Sequence, residues 1–502
     1  MTLLFKPTSY RKGAALAVGA TAAWKIVSFV NALLLASYFG ADRATDLYFY
    51  LILTLGVAWF FVQRLNAAVI IPQAMALEAQ TPLSSRPLLN GYLYVYLMLA
   101  AIIIGVGVLC PVQTARLFSR FDTPYLHDQH ALITWGLLLF ALQILSTYLL
   151  AVLEMHKRFA TALFTPLNAL LPLLFLMGWG RQVGVISMLY GFVLSHAIQV
   201  VVFGVMLKKE LGWKFTRGEI YHSAAFMKNL ASNQLIELAN IVSGVLPLYL
   251  LSGLNAGVVS ALNYARQLSD SSTEVLTLRV ANVSKIQLTR HVAKRRWDTF
   301  NAAYNATHHF LWFLLTPLAV FSIFYAPDII TLFFKRGAFS ATDVREASAF
   351  LRPLLVLVWL MAPVLMQNNV VAATRKLKEF LPYALSGILL FIVLVPGAVA
   401  WGGAVAFVYA QAGCCVVGLA INAFFFKKYV PEFGLLPALK DGARLVLYNA
   451  LALLPSAFYA LQFGGQNVWV RVFISGSIFM ICLLALTRAS GDLKRFLHAA
   501  RR

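Results

Sequence analysis

Residues 90–112 read NGYLYVYLMLAAIIIGVGVLCPV, 23 positions without an Asp, Glu, Lys or Arg. An α-helix rising about 1.5 Å per residue needs about 20 apolar residues to cross the hydrocarbon core of a bilayer. The run is not isolated. Apolar blocks of similar size recur near 14–38, 46–70, 130–154, 160–180, 183–207, 229–252, 257–284, 308–334, 348–372, 380–400, 403–426, 443–463 and 468–487, about fourteen in all. Over its 502 residues the chain is 60% hydrophobic and 12% charged, with a mean hydropathy of +0.76. Soluble proteins carry about 25% charged residues, so this surface does not face water alone. A soluble enzyme, a secreted disulfide scaffold and a disordered tail are excluded together. The sequence predicts an all-α polytopic membrane protein.

The charge is lopsided: 41 Lys and Arg against 19 Asp and Glu, net +22. In a soluble chain that surplus would suggest a nucleic-acid partner; here membrane topology accounts for it. With the N-terminus inside, roughly 27 of the basic residues fall in inner loops and roughly 8 in outer ones, a positive-inside pattern. The inner clusters lie at 157–158, 208–209, 294–296, 375–378, 427–428 and 494–502. Both termini are therefore expected in the cytoplasm. The first block follows Lys6, Arg11 and Lys12 as a signal peptide would, but it is too long for one and is expected to remain as a span. The inner loops at 208–228 and 289–304 are expected at the membrane surface. Cys110, Cys414, Cys415 and Cys482 have no metal-type spacing and read as core residues.

Working outward from the first quoted run, CPVQTARLFSRFDTPYLHD (110–128) is echoed by APDIITLFFKRGAFSATD (326–343). Pro111 matches Pro327, Leu117-Phe118 matches Leu332-Phe333, and Asp128 matches Asp343, at an offset of about 215. Each copy follows the third span of its set. Spans one to six (1–210) and seven to twelve (211–430) thus form two pseudo-symmetric six-helix lobes. An even number of spans per lobe gives both the same orientation about an axis along the membrane normal. Residues 431–502 add spans thirteen and fourteen and a basic tail.

Ionisable residues inside a span are costly and default to functional candidates. Lys25 lies at mid-depth of the first span, on one stripe with Thr21 and Ser28 and with Asn31 at its edge. The seventh span carries Asn233, Glu237, Asn240 and Gly244 in a narrow arc. The eighth carries Asn263, Arg266, Asp270 and Thr277, with Glu274 nearby. Cations at this depth suit phosphate, which Arg grips through two parallel hydrogen bonds. Plainer readings stand beside these. Arg266 and Asp270, at i and i+4, can neutralise each other, and Glu237 can pair with Lys25. Arg64, Arg279 and Lys285 can reach the cytoplasmic surface. Asp46, after the turn at Gly40, can cap the second span, and the Asn, Gln and Ser residues can hold helices together. His127, His130, His308 and His309 fall near span ends and make no metal set. No cofactor is expected.

Three segments resemble the MurJ/MviN family of lipid II flippases, within the superfamily of multidrug exporters and polysaccharide flippases. APDIITLFFKRGAFSATD (326–343) is similar to that family's LF-x-x-G-x-F-T-x-x-D stretch, with Gly337, Phe339, Ser340 and Asp343 in place. YFGADRATDLYFY (38–50) resembles its FGA-x-x-x-TDAFF turn, with Gly40, Thr45 and Asp46 matching. NYARQLSD (263–270) resembles YADRL-x-E. The resemblance implies a cationic central cavity in which Lys25 stands where the family has Arg. The family's second first-span Arg falls at the uncharged Asn31. Its eighth-span Arg falls at Gln267, with Arg266 one place earlier and turned by about 100°.

What the resemblance implies is a transporter of the bacterial cytoplasmic membrane, not an enzyme. It would carry a polyprenyl-pyrophosphate-linked saccharide, lipid II or a related precursor, to the outer leaflet by alternating access. Lys25, Asn31, Arg266 and Gln267 are then expected to contact the substrate. Asp46, Glu237, Asp270 and Glu274 are expected in gating or in coupling to proton, sodium or membrane potential. The expected partners are the lipid-linked anionic glycan and membrane lipids, with a monomer as the working unit. Three rivals remain at this level. A drug exporter of the same superfamily needs an acidic cavity. A polytopic glycosyltransferase using Asp42 and Asp46 needs long external loops, which the spacing does not provide. An assembly scaffold needs no polar cavity at all.

Overall fold

A computed structural model describes residues 10–80, 84–216, 218–219, 224–273 and 279–501. Its regular structure is entirely helical among those residues. The chain separates into two compact units, Met1–Ser260 and Ala261–Arg502. The first holds α1 (Tyr10–Phe39), α2 (Arg43–Leu65), α3 (Ile71–Gln80), α4 (Ser85–Leu109), α5 (Pro111–Phe118), α6 (Thr123–Asp128), α7 (His130–Met155), α8 (Leu167–Val183), α9 (Ile186–Glu210), α10 (Ala224–Leu251) and the first turn of α11 (Val258–Thr273). The second continues through α12 (Arg279–Ala293), α13 (Trp297–Phe324), α14 (Ala326–Phe334), α15 (Ala341–Thr374), α16 (Leu377–Gly402), α17 (Ala406–Tyr429), α18 (Leu436–Gln462), α19 (Val468–Ser490) and α20 (Asp492–Arg501).

Among the described residues twelve helices are long and apolar enough to cross a membrane. They correspond to every expected block except the seventh and eighth. The seventh is α10, 28 residues long. The eighth is covered in its described parts by α11 and α12, 16 and 15 residues long and so each short of a span. The second block extends well beyond 46–70. A π-helical turn at Asn66–Ile70 joins α2 to α3, giving one run of 37 residues, Arg43–Ala79.

Two of the sequence expectations need correction. The basic stretch 289–304 is not a loop: α12 and α13 run through it and leave only 294–296 between them. Leu288, Phe300 and Tyr304, all fully buried, supply the apolar face that makes this stretch helical. His308 and His309 consequently sit 11 and 12 residues into α13 rather than near its end. The other connection does keep to the surface at Gly212, Lys214, Phe215 and Thr216, which are exposed, and one side chain pins it. Trp213 is 5% exposed and donates its indole N–H to Asn90 Oδ1 at 2.8 Å. Asn90 in turn donates to the Lys214 carbonyl at 3.0 Å.

The repeat is visible in local structure. In each unit a short helix with a proline in its first two positions, α5 or α14, follows a long helix, α4 or α13. The matched aspartates differ in use. Asp343 forms a capping box with Ser340 at the start of α15, whereas Asp128 ends α6.

Aromatic side chains fill both cores. In the first unit Tyr148 lies 4.9 Å from Tyr96, ring to ring, and donates to the Leu89 carbonyl at 2.6 Å. In the second, Trp312 stacks on Trp359 at 5.1 Å. The amphipathic α20 docks through Phe496, stacked on Phe313 at 4.4 Å. It is also held by Arg444, which bridges Asp441 at 2.8 Å and the fully buried Asp492 at 2.6 Å.

Backbone packs closely on backbone where α8 crosses α9. A Cβ on Gly191 would lie 2.5 Å from the backbone of Pro172, so the crossing depends on a residue with no side chain. Gly191→Ala is expected to lower stability by about 1–3 kcal/mol through overpacking, read as a lower thermal midpoint in detergent. Gly178→Ala, with nothing within 4 Å of its Cβ position, is expected to leave that midpoint unchanged or raise it.

Candidate substrate site

The N-terminal end of α2 is built first. Asp42 Oδ1 accepts the Thr45 N–H at 2.8 Å, and Thr45 Oγ1 accepts the Asp42 N–H at 3.0 Å, a reciprocal capping box. The cap of the second span is therefore Asp42 and not Asp46. Asp46, one position beyond Thr45, is turned inward and 2% exposed. Its carboxylate accepts the Gly257 N–H, the Ser260 N–H and the Ser260 hydroxyl, each at 2.7 Å. These are the donors left open at the start of α11, and a carboxylate also complements the positive end of that helix. Gly257 is required at this junction: its φ is +90°, and a Cβ would lie 2.7 Å from the Ala41 carbonyl oxygen. Asp46 thus anchors the helix that carries Arg266.

Lys25 lies 15 residues from Tyr10 and 14 from Phe39, about 22 Å and 21 Å along α1. It is half-buried at the midpoint of the span, as its sequence position suggested. Thr21, on the same stripe, is exposed and donates to the Ala17 carbonyl at 2.7 Å. Asn31 is placed differently. It is 5% exposed and gives its amide N–H to the Ala169 carbonyl at 2.8 Å, so it fastens α1 to the start of α8.

Glu237 does not pair with Lys25. Its carboxylate is 3.5 Å from the Arg64 guanidinium, joining α10 to α2. Close by in the same pair of helices, Gly244 lets α10 approach Val57, whose methyl would be 3.1 Å from an added Cβ. Arg64 itself was read from sequence as a side chain reaching for the surface. Only the packing of α10 against α2 reveals its acidic partner.

In the second unit Arg266 and Gln267 are half-buried on α11, and Asp270 is exposed one turn further on. The Asp270 carboxylate acts electrostatically on Arg266, the i, i+4 arrangement anticipated from the spacing. Asn263, 6% exposed, leaves its amide nitrogen without a hydrogen-bond partner. Glu274 and Thr277 lie outside the described residues, as does the side chain of Asn233.

Lys25 therefore lies midway along α1 and Arg266 midway along α11, while Arg64, near the end of α2, is paired with Glu237. The family model for the lipid II flippase MurJ matches residues 35–483. The chain belongs to the MurJ lipid II flippase family. It is a membrane transporter by family, and the peptidoglycan role of that family follows from lipid II itself. Among solved structures, a lipid II flippase MurJ in an inward closed conformation shares the fold at TM-score 0.75 and 18% identity, covering 95% of this chain and 99% of that one. An inward-facing multidrug-resistance MATE transporter of the MOP superfamily is similar at TM-score 0.57 and 14% identity, covering 84% and 95%. No individually curated sequence matches the chain.

Asp46→Ala is expected to cost about 2–3 kcal/mol by stranding the N–H groups at the start of α11. A thermal unfolding series in detergent checks this. An unchanged midpoint would show that Asp46 does not hold α11.

Proposed function

We propose that this chain flips a polyprenyl-pyrophosphate-linked cell-wall precursor of the lipid II kind from the cytoplasmic to the outer leaflet, by alternating access. The observation that carries the reading is the MurJ family match across 35–483, together with a lysine at the midpoint of α1 where that family has arginine. Lys25 in the first unit and Arg266, with Gln267 beside it, in the second are the groups offered to the pyrophosphate, while Asn31, expected from sequence to contact it, holds α1 to α8. Glu237, Asp270 and Glu274 serve gating or coupling to proton, sodium or membrane potential. Asp46 acts at the outer end of α2, where the bonds to Gly257 and Ser260 are available to break and reform between states.

The protein works as a monomer in the bacterial cytoplasmic membrane with both termini in the cytoplasm, in keeping with the basic inner clusters. Two observations favour this reading over the rivals. A drug exporter would need an acidic site, which the acids near Arg266 would have to supply, and Asp270 there already faces that arginine electrostatically. A glycosyltransferase would need Asp42 and Asp46 for a donor phosphate, and both are engaged as helix caps.

The test is flipping of a lipid-linked precursor in proteoliposomes. Lys25→Ala and Arg266→Ala are each expected to lower the rate at least tenfold, while the amount of inserted protein is unchanged. Full activity in both variants would remove the role assigned to these cations.

A further inference from the structure

The Arg64–Glu237 contact is a poor structural bond. Its separation of 3.5 Å exceeds the usual 2.7–3.2 Å of an N–H···O hydrogen bond. Arg64 is also 67% exposed, against 20% for Glu237. Pairs this open contribute about 0–1 kcal/mol, and α10 already meets α2 through the close approach of Gly244 to Val57. Stability does not explain why an arginine and a glutamate are kept here.

Position suggests another use. Arg64 lies 21 residues after Arg43, the first residue of α2, about 31 Å along the helix. That is about the thickness of the hydrocarbon core, and with the orientation read from the basic clusters the guanidinium lies toward the cytoplasmic side of α2. Two residues later the helix passes into the π-helical turn Asn66–Ile70, a feature frequent at functional sites. Within that turn Asn66 is 1% exposed and its amide nitrogen has no hydrogen-bond partner.

We propose that Arg64 is the loading contact for the pyrophosphate of an inner-leaflet polyprenyl-pyrophosphate saccharide, and that Glu237 is the anion it holds when empty. The inference rests on the flippase reading and adds a site to it. A guanidinium fork matches two phosphate oxygens better than one loosely placed carboxylate oxygen. The incoming pyrophosphate takes Arg64, and Glu237, now beside a like charge, is expelled. Loading is thereby coupled to a change in how α10 sits against α2.

This predicts opposite signs for the two partners, which no purely structural ion pair gives. The purified full chain in nanodiscs of zwitterionic lipid is titrated with a long-chain polyprenyl pyrophosphate and, separately, with the neutral polyprenol. Arg64→Gln is expected to weaken pyrophosphate binding at least tenfold, with Arg64→Lys in between. Glu237→Gln is expected to tighten it about threefold or more. Polyprenol binding stays unchanged throughout. If both substitutions weaken binding together, or if Arg64→Gln still prefers the pyrophosphate as strongly as the wild type, the loading assignment is wrong and the flippase reading survives. If the wild type binds polyprenol as well as the pyrophosphate, the flippase reading fails and this inference fails with it.

Discussion

A polar group in hydrocarbon has no water to turn to, and leaving it without a partner costs several kcal/mol. That cost organises this molecule. Backbone groups are satisfied inside helices, and where α2 and α11 begin a carboxylate is supplied. Asp42 closes the start of α2, and Asp46 closes the start of α11 from another helix. Because every such group must be accounted for, the few charges on these helices stand out: Lys25 midway along α1, Arg64 beside Glu237 and Arg266 beside Asp270.

Much of the fold was legible in the sequence because the hydrophobic signal is coarse and strong. A window of 20 apolar residues such as 90–112 has few alternative readings in a chain this poor in charge. The signal failed where helices are amphipathic. The run 289–304 looked like a basic loop because Arg290, Lys294, Arg295 and Arg296 outweigh the buried Leu288, Phe300 and Tyr304 in any average. Helical periodicity, not mean composition, carries that information. The same averaging displaced α13 outward and left His308 and His309 at an apparent span end.

The candidate site was readable only in part, for a different reason. Depth along a helix follows from counting, so Lys25 was placed at mid-span correctly. Partners across helices do not follow from counting. Asp46 reads equally well as a cap of its own helix or as an active acid, and its bonds to Gly257 and Ser260 join residues more than 200 positions apart. A glycine followed by V-V-S at 257–260 is a helix start, but its cap is distant in sequence. Glu237 and Arg64 are similarly remote, and Asn31 is consumed by α8 rather than left open.

The central claim is that these intramembrane cations exist to carry an anionic, lipid-linked headgroup across the bilayer. Depletion of the protein in its own cells, followed by leaflet-resolved measurement of lipid-linked saccharides, tests it most directly. The account predicts that a polyprenyl-pyrophosphate saccharide accumulates facing the cytoplasm within one or two generations. An unchanged leaflet distribution of every such lipid, in cells confirmed to lack the protein and any substitute for it, would contradict the account.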